Sequence, residues 1–117
     1  GLGSDEHAEV DGAATVDAPA LVESGATVAE GAVVGPRAVL MRDVEVGPSA
    51  RVSGSVLLPG CTIGEGASVS DSILAAGVEV GAGAVIAPGS VIGENARIEP
   101  GTVLEAEARV EPGGVYT

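Results

Sequence analysis

The chain has 117 residues, 45% of them hydrophobic, yet Tyr116 is its single aromatic ring. A core of ordinary shape at this size leans on large rings, so the interior must be narrow and filled by Val, Ile, Leu and Ala. Seventeen acidic residues face five arginines and no lysine, a net charge of −12; this excludes the basic footprint of a nucleic-acid binder and disfavours an anionic membrane surface.

In chain order, residues 1–9 fall outside any register and read as a tail or linker remnant ahead of one domain spanning 10–117. His7, the sole histidine, sits there among Asp5, Glu6 and Glu9 and reads as a solvated tail residue. From Val10 an aliphatic residue recurs every six positions: Val16, Val22, Val28, Val34, Leu40, Val46 and Val52. One residue is lost before Leu57, the register continues through Ile63 and Val69, and another is lost before Leu74. The pattern then runs through Val80, Ile86, Ile92, Ile98, Leu104 and Val110 to Tyr116. A fixed short period marks stacked, quasi-one-dimensional architecture.

Each hexad has its own chemistry. The fifth residue is small, as in Ala14, Ala26, Ala50, Cys61 and Ala84, with Val44 and Val78 the larger exceptions. The fourth is Gly nine times and Asn95 once, residues that tolerate the positive φ of a tight corner. Proline recurs at the third, where its fixed φ suits a turn, as in Pro36, Pro48 and Pro88. The small residue and the next aliphatic therefore point inward and the residue between them points out. Stacked coils with parallel strands ~4.8 Å apart would bury a continuous core. Helical periodicity is absent.

Val34-Gly-Pro-Arg-Ala-Val, Ile63-Gly-Glu-Gly-Ala-Ser, Val80-Gly-Ala-Gly-Ala-Val and Ile92-Gly-Glu-Asn-Ala-Arg resemble the hexapeptide-repeat family. The resemblance implies an all-β fold, a left-handed parallel β-helix of about six triangular coils with three hexads to a coil. That hand runs against the usual right-handed crossover.

The two lost residues locate the candidate site. Counting forward from Val52 and Val69 would put Val56 and Ile73 inside; counting back from Leu57 and Leu74 puts Ser55 and Ser72 there instead. The deletions therefore lie in corners, and Val56 and Ile73 point outward. Stacking that face predicts an outward ladder of Leu21, Val39, Val56, Ile73 and Val91, followed by Arg109. Met41 and Leu58, with Ala75, line the next corner in register. The other faces read Thr27, Glu45, Thr62, Glu79, Arg97, Val115, mostly polar, and Thr15, Val33, Arg51, Ser68, Val85, Val103, mixed. An apolar ladder on so acidic a chain is expected to meet a partner, either another copy or a catalytic domain outside the sequence.

Catalytic chemistry finds no footing. Hexapeptide acyltransferases resemble this chain in their coils, and the resemblance would require a His base that no hexad supplies. Related carbonic anhydrases imply three His ligands, and one cannot make that site. Cys61 occupies a small interior position and reads as buried filler, its thiol pKa expected to be raised by acidic surroundings. Single carboxylates such as Glu23, Glu65 and Glu94 are separated by coils, so no metal or cofactor is expected.

The stretch from Val52 to Leu74, with its paired pentapeptide corners, resembles the C-terminal β-helix of sugar-phosphate nucleotidyltransferases of the glucose-1-phosphate or mannose-1-phosphate type. This implies a structural and oligomerisation module of a nucleotide-sugar enzyme, without catalytic residues of its own. The alternatives are a hexapeptide acyltransferase with another base, or a free-standing β-helical scaffold. The lone cysteine, and the absence of a signal-peptide pattern or an apolar run approaching ~18 residues, suggest a reducing cytoplasm. The acidity suits a high-salt one.

Overall fold

A computed structural model describes residues 2–4 and 8–117, and among them every regular element is a strand of two or three residues. The strands form three parallel sheets, each an arithmetic walk through the chain in which every third strand is a neighbour. This is the left-handed parallel β-helix of about six turns that the resemblance to the hexapeptide-repeat family implies. It measures 34 × 20 × 19 Å, a prism whose long axis is the stacking direction.

The core is a column. Leu40, Leu57, Ile63, Leu74, Ile86, Ile92 and Ile98 are fully buried, as are the small residues Ala26, Ala32, Ala50, Ala67 and Ala84 between them. Val44, Cys61 and Val78 succeed one another at the small position behind one face, and all three are buried. Along Ala38–Leu40 the pattern is buried, half-buried, buried, the alternation of a strand with one wet side. Each coil is tied to the next by backbone bonds such as Glu45 N to Cys61 O (2.9 Å) and Thr62 N to Val78 O (2.9 Å).

Corners follow the expectation of positive φ and exceed it. Arg37, Asp43, Ser49, Asp71, Asn95 and Glu107 all lie between 45° and 63°. The coil imposes this conformation on the corners from Gly25 onward, where the corner N–H reaches the coil before it: Ser49 N donates to Glu30 O (3.0 Å) and Glu107 N to Pro88 O (2.9 Å). A side chain that is not Gly costs about 1–2 kcal/mol there. Gly81 is required for another reason: a Cβ on it would stand 2.4 Å from the backbone nitrogen of Pro100 in the next coil.

The N-terminal boundary differs from expectation. Residues 1–9 were expected outside the fold, yet Leu2–Ser4 pairs with Ala20–Val22 in parallel, Gly3 opposite Leu21. Glu9–Val10 likewise pairs with Thr27–Val28. Ser4 falls where other hexads carry an aliphatic residue and Leu2 where they carry a small one. That exchange hides the period.

Candidate docking surface

One sheet comprises Leu2–Ser4, Ala20–Val22, Ala38–Leu40, Val56–Leu57, Ile73–Leu74, Val91–Ile92 and Arg109–Val110. Its register pairs Leu21 with Val39, Val39 with Val56, Val56 with Ile73, and Ile73 with Val91. The five aliphatic residues thus stand in one continuous row on the solvent side. Ile73 keeps 49% of its surface exposed, Leu21 42% and Val91 39%; Val39 and Val56 are half-buried by their neighbours. Met41, Leu58 and Ala75, also half-buried, stack in the corner that follows, through Met41 N to Leu57 O and Leu58 N to Leu74 O, both 2.9 Å. Arg109 ends the row, its Nη1 donating to the carbonyls of Gly89 (2.7 Å) and Ala108 (3.1 Å).

Behind the ladder the structure contains a device that the sequence reading saw only as small residues. Ser55, Ser72 and Ser90 are buried and stacked. Ser72 N donates to Ser55 Oγ (3.0 Å), Ser90 N to Ser72 Oγ (3.2 Å) and Ala108 N to Ser90 Oγ (3.3 Å). Each hydroxyl passes its own proton to a carbonyl: Ser55 to Ser53 O (2.8 Å), Ser72 to Ser70 O (2.7 Å) and Ser90 to Ala87 O (2.8 Å). Elsewhere the equivalent N–H closes its own corner, as Ala26 N does on Glu23 O (3.1 Å) and Ala96 N on Gly93 O (3.2 Å). At Ser72, in the shortened corner Ser70-Asp71-Ser72, and at Ser90 and Ala108, in the full-length corners that stack on it, the N–H uses the hydroxyl of the coil before instead. Serine at consecutive small positions on one face was the available signal.

The other faces have different outward chemistry. One carries Thr27, Glu45, Thr62, Glu79 and Arg97 in register, with Arg97 Nε 3.3 Å from Glu79 Oε2. An open groove of about 260 Å³ on that face is lined by Thr62, Glu79, Gly81, Arg97, Glu99 and Pro100. It offers an ion pair, a second carboxylate and a threonine, with no histidine or thiol. The third face runs Thr15, Val33, Arg51, Ser68, Val85, Val103, so its apolar residues are interrupted.

Cys61 is buried, its Sγ 3.1 Å from Ala75 O. Burial, rather than the acidic surroundings expected, pushes its thiol pKa up. His7 lies outside the described residues. Among the described residues no three His, Cys, Asp or Glu side chains gather as metal ligands would.

The stacked hexads, three-sheet register and open solenoid define a hexapeptide-repeat β-helix. Residues 16–112 match the family model of the GMPPB C-terminal domain, and the chain belongs to that family. A search of curated protein sequences returns no match. Among solved structures, the chain resembles perosamine N-acetyltransferase from Caulobacter crescentus, determined with CoA and GDP-perosamine, at a TM-score of 0.64 and 20% identity. The match covers 94% of this chain and 50% of that one. The acetyltransferase domain of PglB from Neisseria gonorrhoeae, in complex with acetyl coenzyme A, aligns at 0.53 and 19% identity over 90% of this chain and 54% of that one. At these identities the likeness is one of fold. The chain spans about half the length of these acetyltransferases.

Proposed function

We propose that the chain is the β-helical module of a sugar-phosphate nucleotidyltransferase, supplying structure and contacts rather than catalytic groups. The observation that carries this reading is the match of residues 16–112 to a domain described as C-terminal. The paired short corners at Ser53-Gly54-Ser55 and Ser70-Asp71-Ser72 support it from within the sequence. The ladder of Leu21, Val39, Val56, Ile73 and Val91, continued by Met41 and Leu58, is then the face that meets the catalytic domain or a sister subunit. An exposed row of aliphatic residues on a soluble β-helix loses free energy to water unless covered.

Two measurements test the proposal. The reading frame that encodes the chain, expressed whole, should release pyrophosphate from a nucleoside triphosphate in the presence of a hexose 1-phosphate. Absence of that activity across the common nucleotides and hexose phosphates would overturn the enzyme assignment. In the same protein, Val56→Asp or Ile73→Asp should separate the β-helix from its partner, seen as a smaller mass or an increased susceptibility to proteolysis between domains. Unchanged mass and proteolysis would reject the ladder as the contact. A thermal-shift titration with acetyl coenzyme A serves as the control for acyl transfer, and a rise of several degrees would favour that chemistry instead.

A further inference from the structure

We infer that the occupant of the ladder is a surface with an apolar centre and a basic rim, rather than a second copy of this chain. The inference rests on the docking reading above and names the partner's chemistry. The corners that follow the ladder strands carry Glu23, Asp43, Glu94 and Glu111, grouped toward the two ends of the row, with Arg42 the one cation among them. Between those groups the same edge is apolar, formed by Leu58-Pro59 and Ala75-Ala76, all half-buried. The corners that precede the ladder strands carry Asp17, Asp71, Glu105 and Glu107, all exposed. The ladder positions themselves hold no carboxylate. Among the described residues only Arg37 approaches a rim carboxylate, 4.0 Å from Asp71. Glu23 is occupied by the backbone N–H of Arg42 at 2.9 Å.

An apolar centre ringed by charge is the anatomy of an interface core and rim. Two copies joined through this face would bring together rims that each hold eight carboxylates against Arg37 and Arg42, and an excess of like charge across an interface opposes association. A partner with lysines or arginines around an aliphatic strip meets both features. Its rim would steer the encounter and its centre would hold the complex, so binding should weaken with salt without vanishing.

The test uses two synthetic amphipathic helices with the same leucine face, one with lysine and one with glutamate on the polar face, titrated by fluorescence anisotropy against the intact chain. The leucine–lysine peptide should bind at low salt, more weakly at high salt, and about tenfold more weakly to Ile73→Asp or Val91→Asp, as expected for a charge buried in an apolar contact. Thr62→Asp adds the same charge on another face and should leave binding unchanged. Circular dichroism melts of the variants check that they remain folded. Equal binding of the leucine–glutamate peptide would overturn the inference, as would equal losses from Thr62→Asp and Ile73→Asp, which would mean that charge alone attracts the probe. A discrete oligomer in light scattering that Ile73→Asp dissolves would also overturn it in favour of a second copy, while leaving the nucleotidyltransferase reading intact. Failure of pyrophosphate release in the whole protein would overturn that reading without altering the peptide result.

Discussion

Two faces of the same prism share strand geometry, stacking distance and interior, and differ almost entirely in what they show to water. Behind Val56, Ile73 and Val91 stand Leu57, Leu74 and Ile92; behind Thr62, Glu79 and Arg97 stand Ile63, Val80 and Ile98. All six interior residues are buried. The outward residue of a hexad is therefore free of the folding problem, since it needs only to tolerate an extended backbone. That free choice yields an unbroken aliphatic row on one side and, on another, threonines and glutamates followed by Arg97 and Val115.

The contrast can be tested at decreasing cost. Leu74→Ala behind the ladder and Ile98→Ala behind the charged face should each lose about 2–5 kcal/mol in chemical denaturation, and by similar amounts. A large inequality would mean that the two sides are not equivalent inside. Ser72→Ala should cost about 1–3 kcal/mol, because Ser90 N–H would lose its buried acceptor. No charged-face counterpart exists, since Ala96 N–H is held by its own corner. If Ser72→Ala melts like wild type, the hydroxyl relay carries no stability.

Cys61 gives a pH signature behind the charged face. Its folded pKa is raised by burial, so the folded thiol stays protonated while the unfolded one ionises. Its stabilising contribution is full below the ordinary thiol pKa of about 8.5 and falls as pH rises through the folded value. Urea midpoints should therefore drop on the alkaline side for wild type and less so for Cys61→Ala; identical slopes would contradict burial of the thiol. The smallest effect belongs to the surface. Glu79→Gln breaks an ion pair whose side chains are both more than half exposed, and should change stability by less than about 1 kcal/mol.

Much of the fold was legible in the residues. The aliphatic period identified which residues line the column, and the choice between Val56 and Ser55, or Ile73 and Ser72, was decided by size alone. That choice located the ladder, because a strand's two sides alternate without exception. The hydroxyl relay was not legible: serine at a small position says that it fits, while the N–H groups that donate to it belong to coils seventeen or eighteen residues away. The strand at Leu2–Ser4 was not legible either, because its large and small residues exchange places in the register.

The sequence by itself determined the period of the coil, its interior residues and the identity of each face, since one small and one large residue recur inward in each six-residue period, while the hand came from the family resemblance. Only the tertiary structure decided what lies beside what across coils. It set the exposure left to each ladder residue by its neighbours, the corners forced to positive φ at Arg37 or Glu107, and the acidic rim assembled from corners far apart in the chain. The reason is physical: the period is a local property of the chain, whereas rims, relays and exposure arise from contacts between residues a full turn apart.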